Sequence, residues 1–230
     1  MTVAAINCSP RGESSSSREA ITLVERLGGA DLQWTCASRL DQIPEATLQN
    51  LEDDLCGASV LLVTAPLYID GLPATAVRAL ERYRALCLRY RAGSQSAPRA
   101  RQRVFAVMNC GFYEGVQNRH ALEMVEHFCR DADLEWCGGV GIGTGEMIRG
   151  LRDVPPQAGI RRPVVAALQA LADAISTPGG RLAANLYTQH RLPWGAYRLL
   201  AQLGWRKQVR GNGLPTRAVH ARSHAGVHPR

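Results

Sequence analysis

The stretch Ala4–Arg18 constrains the fold of this chain more than any other segment. It opens with a short apolar run that ends at Ile6, which predicts a buried strand. A loop of hydroxyls with one glycine follows Ser9-Pro10, and from Ser17 onward apolar residues recur at helical spacing. A strand, a hydroxyl-rich loop and a helix in succession can bind phosphate, because the first helical turn leaves N–H groups unpaired and the helix dipole favours an anion.

The number of serines distinguishes this loop from an ordinary helix cap. Four serines stand in a row at 14–17, whereas a cap needs only one hydroxyl. Arg11 and Arg18 add positive charge, and a cation in the first turn of a helix is unfavourable unless an anion lies nearby. We therefore expect a phosphate site.

Other known phosphate motifs do not fit. A P-loop requires a lysine after its second glycine, but Lys207 is the only lysine of the chain, and no G-x-G-x-x-G follows a strand. A cysteine phosphatase would need an arginine six positions after its nucleophile, but the residue six positions after Cys8 is Ser14. What remains is a serine-rich cradle after the first strand of an open α/β sheet.

The alternation of apolar runs and helical patterns predicts a parallel sheet with helices on both faces. The predicted strands are 3–7, 32–36, 58–64, 104–108 and 134–140. The predicted helices are 17–28, 44–55, 73–91, 117–132 and 163–176. Five such strands suggest the order 2-1-3-4-5 by analogy with known folds.

Ligands bind such sheets beyond the carboxyl ends of the strands, so the loops after strands one, three and four should converge. They are Cys8–Ser17, Ala65–Pro73 and Asn109–Gln117. The second loop is apolar with one tyrosine, and the third combines an amide, glycines and two aromatic residues. This mixture suits a flat ring system with a polar edge.

Composition bounds the class of protein. The 230 residues fit one domain with an appendage, and no apolar run is long enough to span a membrane. We expect no secretion signal, because the first residues lack a charged segment followed by a long apolar one, and the seven cysteines form no C-x-x-C pair. We therefore expect a cytoplasmic protein with reduced thiols and without an iron–sulfur cluster.

The net charge of +7 is concentrated at the C-terminal end. Residues 181–230 hold nine of the 27 basic residues and no acidic one. We expect an α/β domain over 1–178, a basic amphipathic helical extension over 179–212 and a disordered tail over 213–230.

An apolar face of the predicted extension needs a cover. Trp194, Tyr197, Ala201 and Trp205 can share one face of a helix. We expect this face to pack on the main domain or on a second subunit. Peripheral contact with an anionic membrane is the less favoured alternative, and nucleic acid is not expected because no recognised motif for it is present.

Taken with the three loops, the chain resembles the flavodoxin-like NAD(P)H-dependent FMN oxidoreductases, which include NADPH-dependent FMN reductases and quinone reductases. The matching pieces are Asn7-Cys-Ser-Pro-Arg-Gly with its serines, Pro66–Pro73, Asn109–Phe112 and the glycine-rich Gly138–Glu146. The resemblance implies a flavodoxin-like three-layer α/β sandwich with a C-terminal helical extension. It also implies FMN as cofactor, NAD(P)H as co-substrate and a homodimer.

The resemblance further implies which residues hold the cofactor. Those expected to bind the phosphate are Ser9, Arg11, Ser15, Ser16 and Ser17. Those expected to line the ring and the ribityl chain are Pro66, Leu67, Tyr68, Ile69, Asn109, Cys110, Gly111 and Phe112. No catalytic side chain and no metal site is expected. Tyr68 and Asp70 are the nearest candidates for substrate contact, and Cys8 and Cys110 are expected to be packing residues.

The expected function is hydride transfer from NADH or NADPH to FMN, and onward to a small acceptor such as a quinone, a free flavin, or a nitro or azo compound. An FMN-binding electron carrier without a substrate of its own is the alternative. A protein that has lost flavin is a third option, against which all three loop motifs are intact.

Overall fold

A computed structural model describes residues 1–29, 31–42, 54–93 and 100–217. Contacts within the chain group it into two compact units, Met1–Arg191 and Leu192–Arg230. The expected domain limits at residues 178 and 212 stay predictions, and residues 218–230 of the expected tail lie outside the described residues.

The first unit is built on a six-stranded parallel sheet. Its strands are β1 Val3–Asn7, β2 Leu32–Cys36, β3 Val60–Pro66, β4 Arg103–Asn109, β5 Glu135–Ile142 and β6 Leu186–Thr188. They lie in the order β2-β1-β3-β4-β5-β6, and every neighbouring pair is parallel. The predicted order 2-1-3-4-5 is confirmed, and β6 extends the sheet by a sixth strand that was not predicted.

Six helices whose bounds are described accompany the sheet in the first unit. They are α1 Ser16–Gly28, α2 Ala37–Gln42, α3 Ala74–Gly93, α4 Arg119–Asp131, α5 Glu146–Gly150 and α6 Arg162–Ser176. A 3₁₀ turn at Gly115–Asn118 leads directly into α4. The predicted helix over 44–55 falls mostly outside the described residues, and α2 was not predicted.

The central strands β1, β3 and β4 contribute to two hydrophobic cores, one on each face of the sheet. In β3, Leu61 and Val63 pack into the core under α3 and α4, whereas Val60 and Leu62 pack into the core under α1 and α6. All four side chains are fully buried. Burial on both faces explains why β3 reads as an unbroken apolar run rather than an alternating one.

The register of the central strands sets the position of the loops that follow them. Asn7 at the end of β1 pairs with Thr64 of β3, and Pro66 at the end of β3 pairs with Asn109 at the end of β4. The carboxyl ends of β1, β3 and β4 therefore lie close together at one edge of the sheet.

The second unit contains α7, Trp194–Gly211, in which the Arg198 guanidinium lies 5.5 Å from the centre of the Trp194 ring. Among the described helices, none combines the length and the apolar character needed to cross a lipid bilayer.

Candidate functional site

The loop after β1 is shaped by Asn7, whose side chain is fully buried. Its Nδ2 donates to the Gly12 carbonyl (2.8 Å), and its Oδ1 accepts from the Ser9 backbone N–H (3.1 Å). Ser15 Oγ donates to the same carbonyl (2.7 Å) and accepts from the Arg18 N–H (3.2 Å), which caps α1. Asn7 belongs to the matched motif, yet sequence reasoning gave it no role of its own.

Among the three buried members of the serine run, Ser16 is the one whose hydroxyl is available to a ligand. Its side chain is buried, and its hydroxyl oxygen has no hydrogen-bond partner among the described residues. The N–H groups of Ser16 and Ser17 open α1, where no helical carbonyl can accept from them. An unpartnered buried hydroxyl costs stability, roughly 1–3 kcal/mol, so this arrangement fits an anion that accepts from it.

Arg11 brings positive charge to the mouth of this loop. Its Nη1 lies 3.0 Å from Oε1 of Glu146 at the start of α5, and both side chains are well exposed. Arg149, one turn further along α5, donates to the Ser14 carbonyl (3.1 Å). The segment after β5 thus closes over the serine loop, a contact that the sequence did not predict.

Arg18 is directed away from the loop. Its Nη1 donates to Thr22 Oγ1 (2.6 Å) and lies 3.7 Å from Glu25, and its guanidinium lies 4.1 Å from the centre of the Trp34 ring. Its charge in the first turn of α1 is therefore stabilised within the protein and does not itself require a bound anion.

Two hydrogen bonds tie the three predicted loops together. Ser17 Oγ donates to Asn109 Oδ1 (2.8 Å), and the Leu67 N–H donates to the Asn109 carbonyl (2.8 Å). The Ser17 and Asn109 side chains are buried. The hydroxyl of Ser17 is thus engaged in joining the loops after β1 and β4, whereas that of Ser16 is not engaged.

The loop after β3 presents apolar side chains to solvent at its tip. Tyr68 and Gly71 exchange two backbone hydrogen bonds, which leaves Ile69 and Asp70 as a two-residue turn. Ile69 has φ of 58° and is 85% exposed. Because a β-branched residue in this left-handed region costs roughly 1–3 kcal/mol, such an outlier points to a functional role. Leu67 beneath the tip is buried.

The loop after β4 is clamped by the glycine-rich segment after β5. The Thr144 N–H donates to the Phe112 carbonyl (2.6 Å), and the Gly145 N–H donates to the Cys110 carbonyl (2.7 Å). A Cβ at position 145 would lie 2.8 Å from that Cys110 oxygen, so only glycine permits this approach. Phe112 remains half exposed on the outer side, next to Gly111.

The two cysteines of these loops are poor nucleophiles. Burial, with a smaller contribution from Cys36, raises the pKa of Cys8 to about 12, and burial raises the pKa of Cys110. Because the thiolate is the reactive form of cysteine, both side chains act as small packing residues.

His190, just after β6, supports the clamp and was missed by sequence reasoning. It is buried, and its N–H donates to Thr144 Oγ1 (3.0 Å) while its Nδ1 lies 2.9 Å from the same oxygen. Burial, reinforced by the nearby charge of Arg161, lowers the pKa of His190 to about 4. No signal in the sequence marks this residue, since a single histidine after a three-residue strand has no diagnostic pattern.

The site therefore has two chemically different ends. Unpaired donors and the cation of Arg11 lie at the start of α1, while half-exposed Tyr68 and Phe112 and exposed Ile69 lie at the tips of the other loops. Such a site suits an elongated ligand with an anion at one end and a flat apolar group at the other. The described residues contain no cluster of side chains suited to a metal ion.

Comparison with known proteins bears on the fold alone. No protein-family model and no curated protein matches the sequence. Among solved structures, an NADH:FMN oxidoreductase in its apo form has 17% identity and a TM-score of 0.50, over 78% of this chain and 93% of that one. An NADPH-quinone reductase from P. pentosaceus has 12% identity and a TM-score of 0.48, over 75% and 98% of the two chains.

A rubredoxin oxygen:oxidoreductase from the anaerobe Desulfovibrio gigas has 14% identity and a TM-score of 0.41 over 74% of this chain. The match spans only 37% of the length of that protein. The parallel order β2-β1-β3-β4-β5 and the likeness to the NADH:FMN oxidoreductase together show that the first unit of this chain has the flavodoxin-like fold.

Proposed function

We propose that this protein is an FMN-dependent NAD(P)H oxidoreductase that passes electrons to a small acceptor such as a quinone, a free flavin, or a nitro or azo compound. The observation that carries the proposal is the buried hydroxyl of Ser16 at the start of α1, which lacks a partner in the described part of the chain, with Arg11 at the mouth of the same loop. A phosphate bound there would accept from the Ser16 hydroxyl and from the first N–H groups of the helix.

The other end of the site supports a ring-binding role. The half-exposed aromatic rings of Tyr68 and Phe112 and the strained, exposed Ile69 offer flat apolar contacts. Asn109 is already bonded to Ser17, so it orients the loops rather than offering a free amide oxygen. A bound FMN supplies a ring system that takes up and releases two electrons, and the chain supplies its binding and orientation.

No side chain is assigned as an acid or base. The titratable groups of the loops with raised pKa values are the buried thiols Cys8 and Cys110, which are protonated at neutral pH. In this proposal the chain contributes by positioning the cofactor and by stacking on it.

A homodimer and a small-molecule acceptor belong to the same proposal. Val116 and Met124 are exposed apolar side chains on the elements after β4, and Met124 Sδ lies 3.6 Å from where a Cβ on Gly71 would stand. Met124 and Ile69 thus place apolar surface around the turn after β3, and in this proposal a second copy of the chain covers it. Nucleic acid is not a proposed partner, and peripheral membrane contact is not favoured.

An absorption spectrum tests the proposal. Purified protein is mixed with FMN, freed of excess cofactor, and then titrated anaerobically with NADPH and separately with NADH. We expect a bound flavin spectrum that bleaches directly to the two-electron reduced form, faster with one of the two donors, and reoxidation by a quinone.

Bound flavin that neither donor bleaches, or that accumulates as a stable one-electron form, would favour the electron carrier instead. Protein that retains no FMN would refute both the phosphate site at the start of α1 and the oxidoreductase function built on it.

A further inference from the structure

Two cysteines outside the cofactor site stand in direct contact. The Sγ atoms of Cys56 and Cys87 are 3.4 Å apart, although 31 positions separate the residues in sequence. Cys56 lies just before β3 and is partly exposed, whereas Cys87 lies within α3 and is buried. We propose that this pair is an oxidation-sensitive dithiol, which a hydroperoxide converts into a disulfide.

The surroundings hold the two sulfur atoms together. Gln102 Nε2 donates to the carbonyls of Leu55 (2.7 Å) and Ala58 (2.9 Å), so the backbone on either side of Cys56 is fixed. The Tyr83 hydroxyl, one turn before Cys87 on α3, donates to Gln102 Oε1 (2.5 Å). These buried hydrogen bonds anchor both cysteine-bearing segments to the Gln102 side chain. The fold itself therefore holds the two sulfur atoms in contact.

The distance is compatible with bond formation by small side-chain movements. A disulfide joins sulfur atoms at about 2.05 Å, so the two must approach by roughly 1.4 Å. Rotation of the Cys56 side chain, which is the more exposed of the two, supplies movement of this size.

The chemistry proceeds in two balanced steps. The Cys56 thiol loses its proton and its sulfur attacks a peroxide oxygen, so that an S–O bond forms and the O–O bond breaks. The departing hydroxide or alkoxide takes up that proton and leaves as water or an alcohol. The Cys87 sulfur then attacks the Cys56 sulfur, an S–S bond forms, the S–O bond breaks, and the departing hydroxide takes the thiol proton as water. The two thiols lose two electrons, and the hydroperoxide gains them.

The disulfide would close a covalent loop that contains part of the candidate site. It runs from Cys56 to Cys87 and encloses all of β3 and the segment 67–73 that forms the apolar tip of the candidate site. The reaction itself needs no flavin, so the outcome of its test is separate from the outcome for the proposed function.

Peptide mapping tests the proposal on the full chain. Reduced protein is desalted, exposed to hydrogen peroxide, quenched with an alkylating agent and digested with trypsin. Residues 40–78 and 85–89 form tryptic peptides that contain Cys56 and Cys87 as their only cysteines. We expect these two peptides to be recovered cross-linked, with a mass 2 Da below their sum by loss of two hydrogens, a product that dithiothreitol abolishes.

Thiol titration in denaturant gives an independent readout. We expect the seven thiols of the reduced protein to fall to five after oxidation. Cys56→Ser should abolish the cross-link, and Cys87→Ser should leave Cys56 to oxidise further to sulfinic acid. Cys129→Ala, which removes a buried cysteine of α4, is the matched control and should leave the cross-link intact.

Retention of all seven thiols, a cross-link between other cysteines, or a disulfide between two chains would overturn the proposal. The wild-type peptide map decides the question even if a variant at the buried Cys87 fails to fold.

Discussion

At the scale of the residue, Ser16 separates a ligand-binding role from a structural one. Because its hydroxyl is buried and no described residue pairs with it, Ser16→Ala removes a polar group that lowers the stability of the ligand-free protein. We expect the unfolding free energy of the free protein to stay level or rise. The dissociation constant for FMN should increase about tenfold or more, since a hydrogen bond to a charged group is worth roughly 1.5–3 kcal/mol. Chemical denaturation and fluorescence titration measure the two quantities.

Ser15→Ala is the matched control for this prediction. Ser15 caps α1, so its loss should lower the unfolding free energy by about 1 kcal/mol. If Ser16→Ala destabilises the free protein as much as Ser15→Ala does, or leaves FMN affinity unchanged, the phosphate assignment is wrong.

The serine run predicted the cradle but not the separate roles of its members. Ser15 caps a helix, Ser17 bonds to Asn109, and the buried hydroxyl of Ser16 has no partner among the described residues. The partner of Ser17 is 92 positions away, and such a pairing leaves no trace in local spacing.

At the scale of the element, Arg103 joins β4 to the end of α6. Its guanidinium donates to carbonyls at the end of this helix and just beyond it: Ala174, Ile175, Thr177 and Gly180. Arg103→Lys keeps the charge but loses the planar fork, so at least two buried carbonyls lose their donor. We expect a loss of about 2 kcal/mol in unfolding free energy, measured by urea denaturation.

Arg101, two positions earlier, supplies the comparison for Arg103. It pairs with Asp133 at 2.8 Å, but its side chain is mostly exposed. Arg101→Lys should therefore change stability by less than about 0.5 kcal/mol. Equal effects at both positions would contradict the role given to Arg103.

The elements differ in how well the sequence predicts them, for physical reasons. The run at Val60–Pro66 is buried on both faces, so its unbroken apolar pattern is a strong signal. The edge strand Leu186–Thr188 has three residues and no fully buried side chain, so it lacks both length and pattern. Ala37–Gln42 follows β2 without an intervening loop, and no turn residue marks where this helix begins.

At the scale of the whole molecule, the buried His190 makes stability depend on pH. Its pKa is about 4 in the folded state and about 6.5 when unfolded, so only the unfolded chain takes up a proton between these values. This contribution is fully present above pH 6.5 and is lost as pH falls toward 4. We expect the unfolding free energy to decrease by roughly 1–2 kcal/mol between pH 6.5 and 5.0.

Urea denaturation at several pH values measures this slope, and His190→Gln is the variant to compare. Glutamine retains a hydrogen-bonding group near Thr144 but does not titrate, so its curve should be flatter between pH 6.5 and 5.0. An unchanged slope in the variant would assign the effect to other groups.

The hydrogen bond between Ser17 and Asn109 also has a consequence for how a chain matures. The serine loop lies near the start of the polypeptide, whereas Asn109 ends β4 and is in place only after β4 has joined the sheet. During synthesis, the serine loop therefore emerges long before the residue that orders it. A ligand that needs both loops cannot be captured before β4 has joined the sheet, so its uptake would show that β1, β3 and β4 are in place.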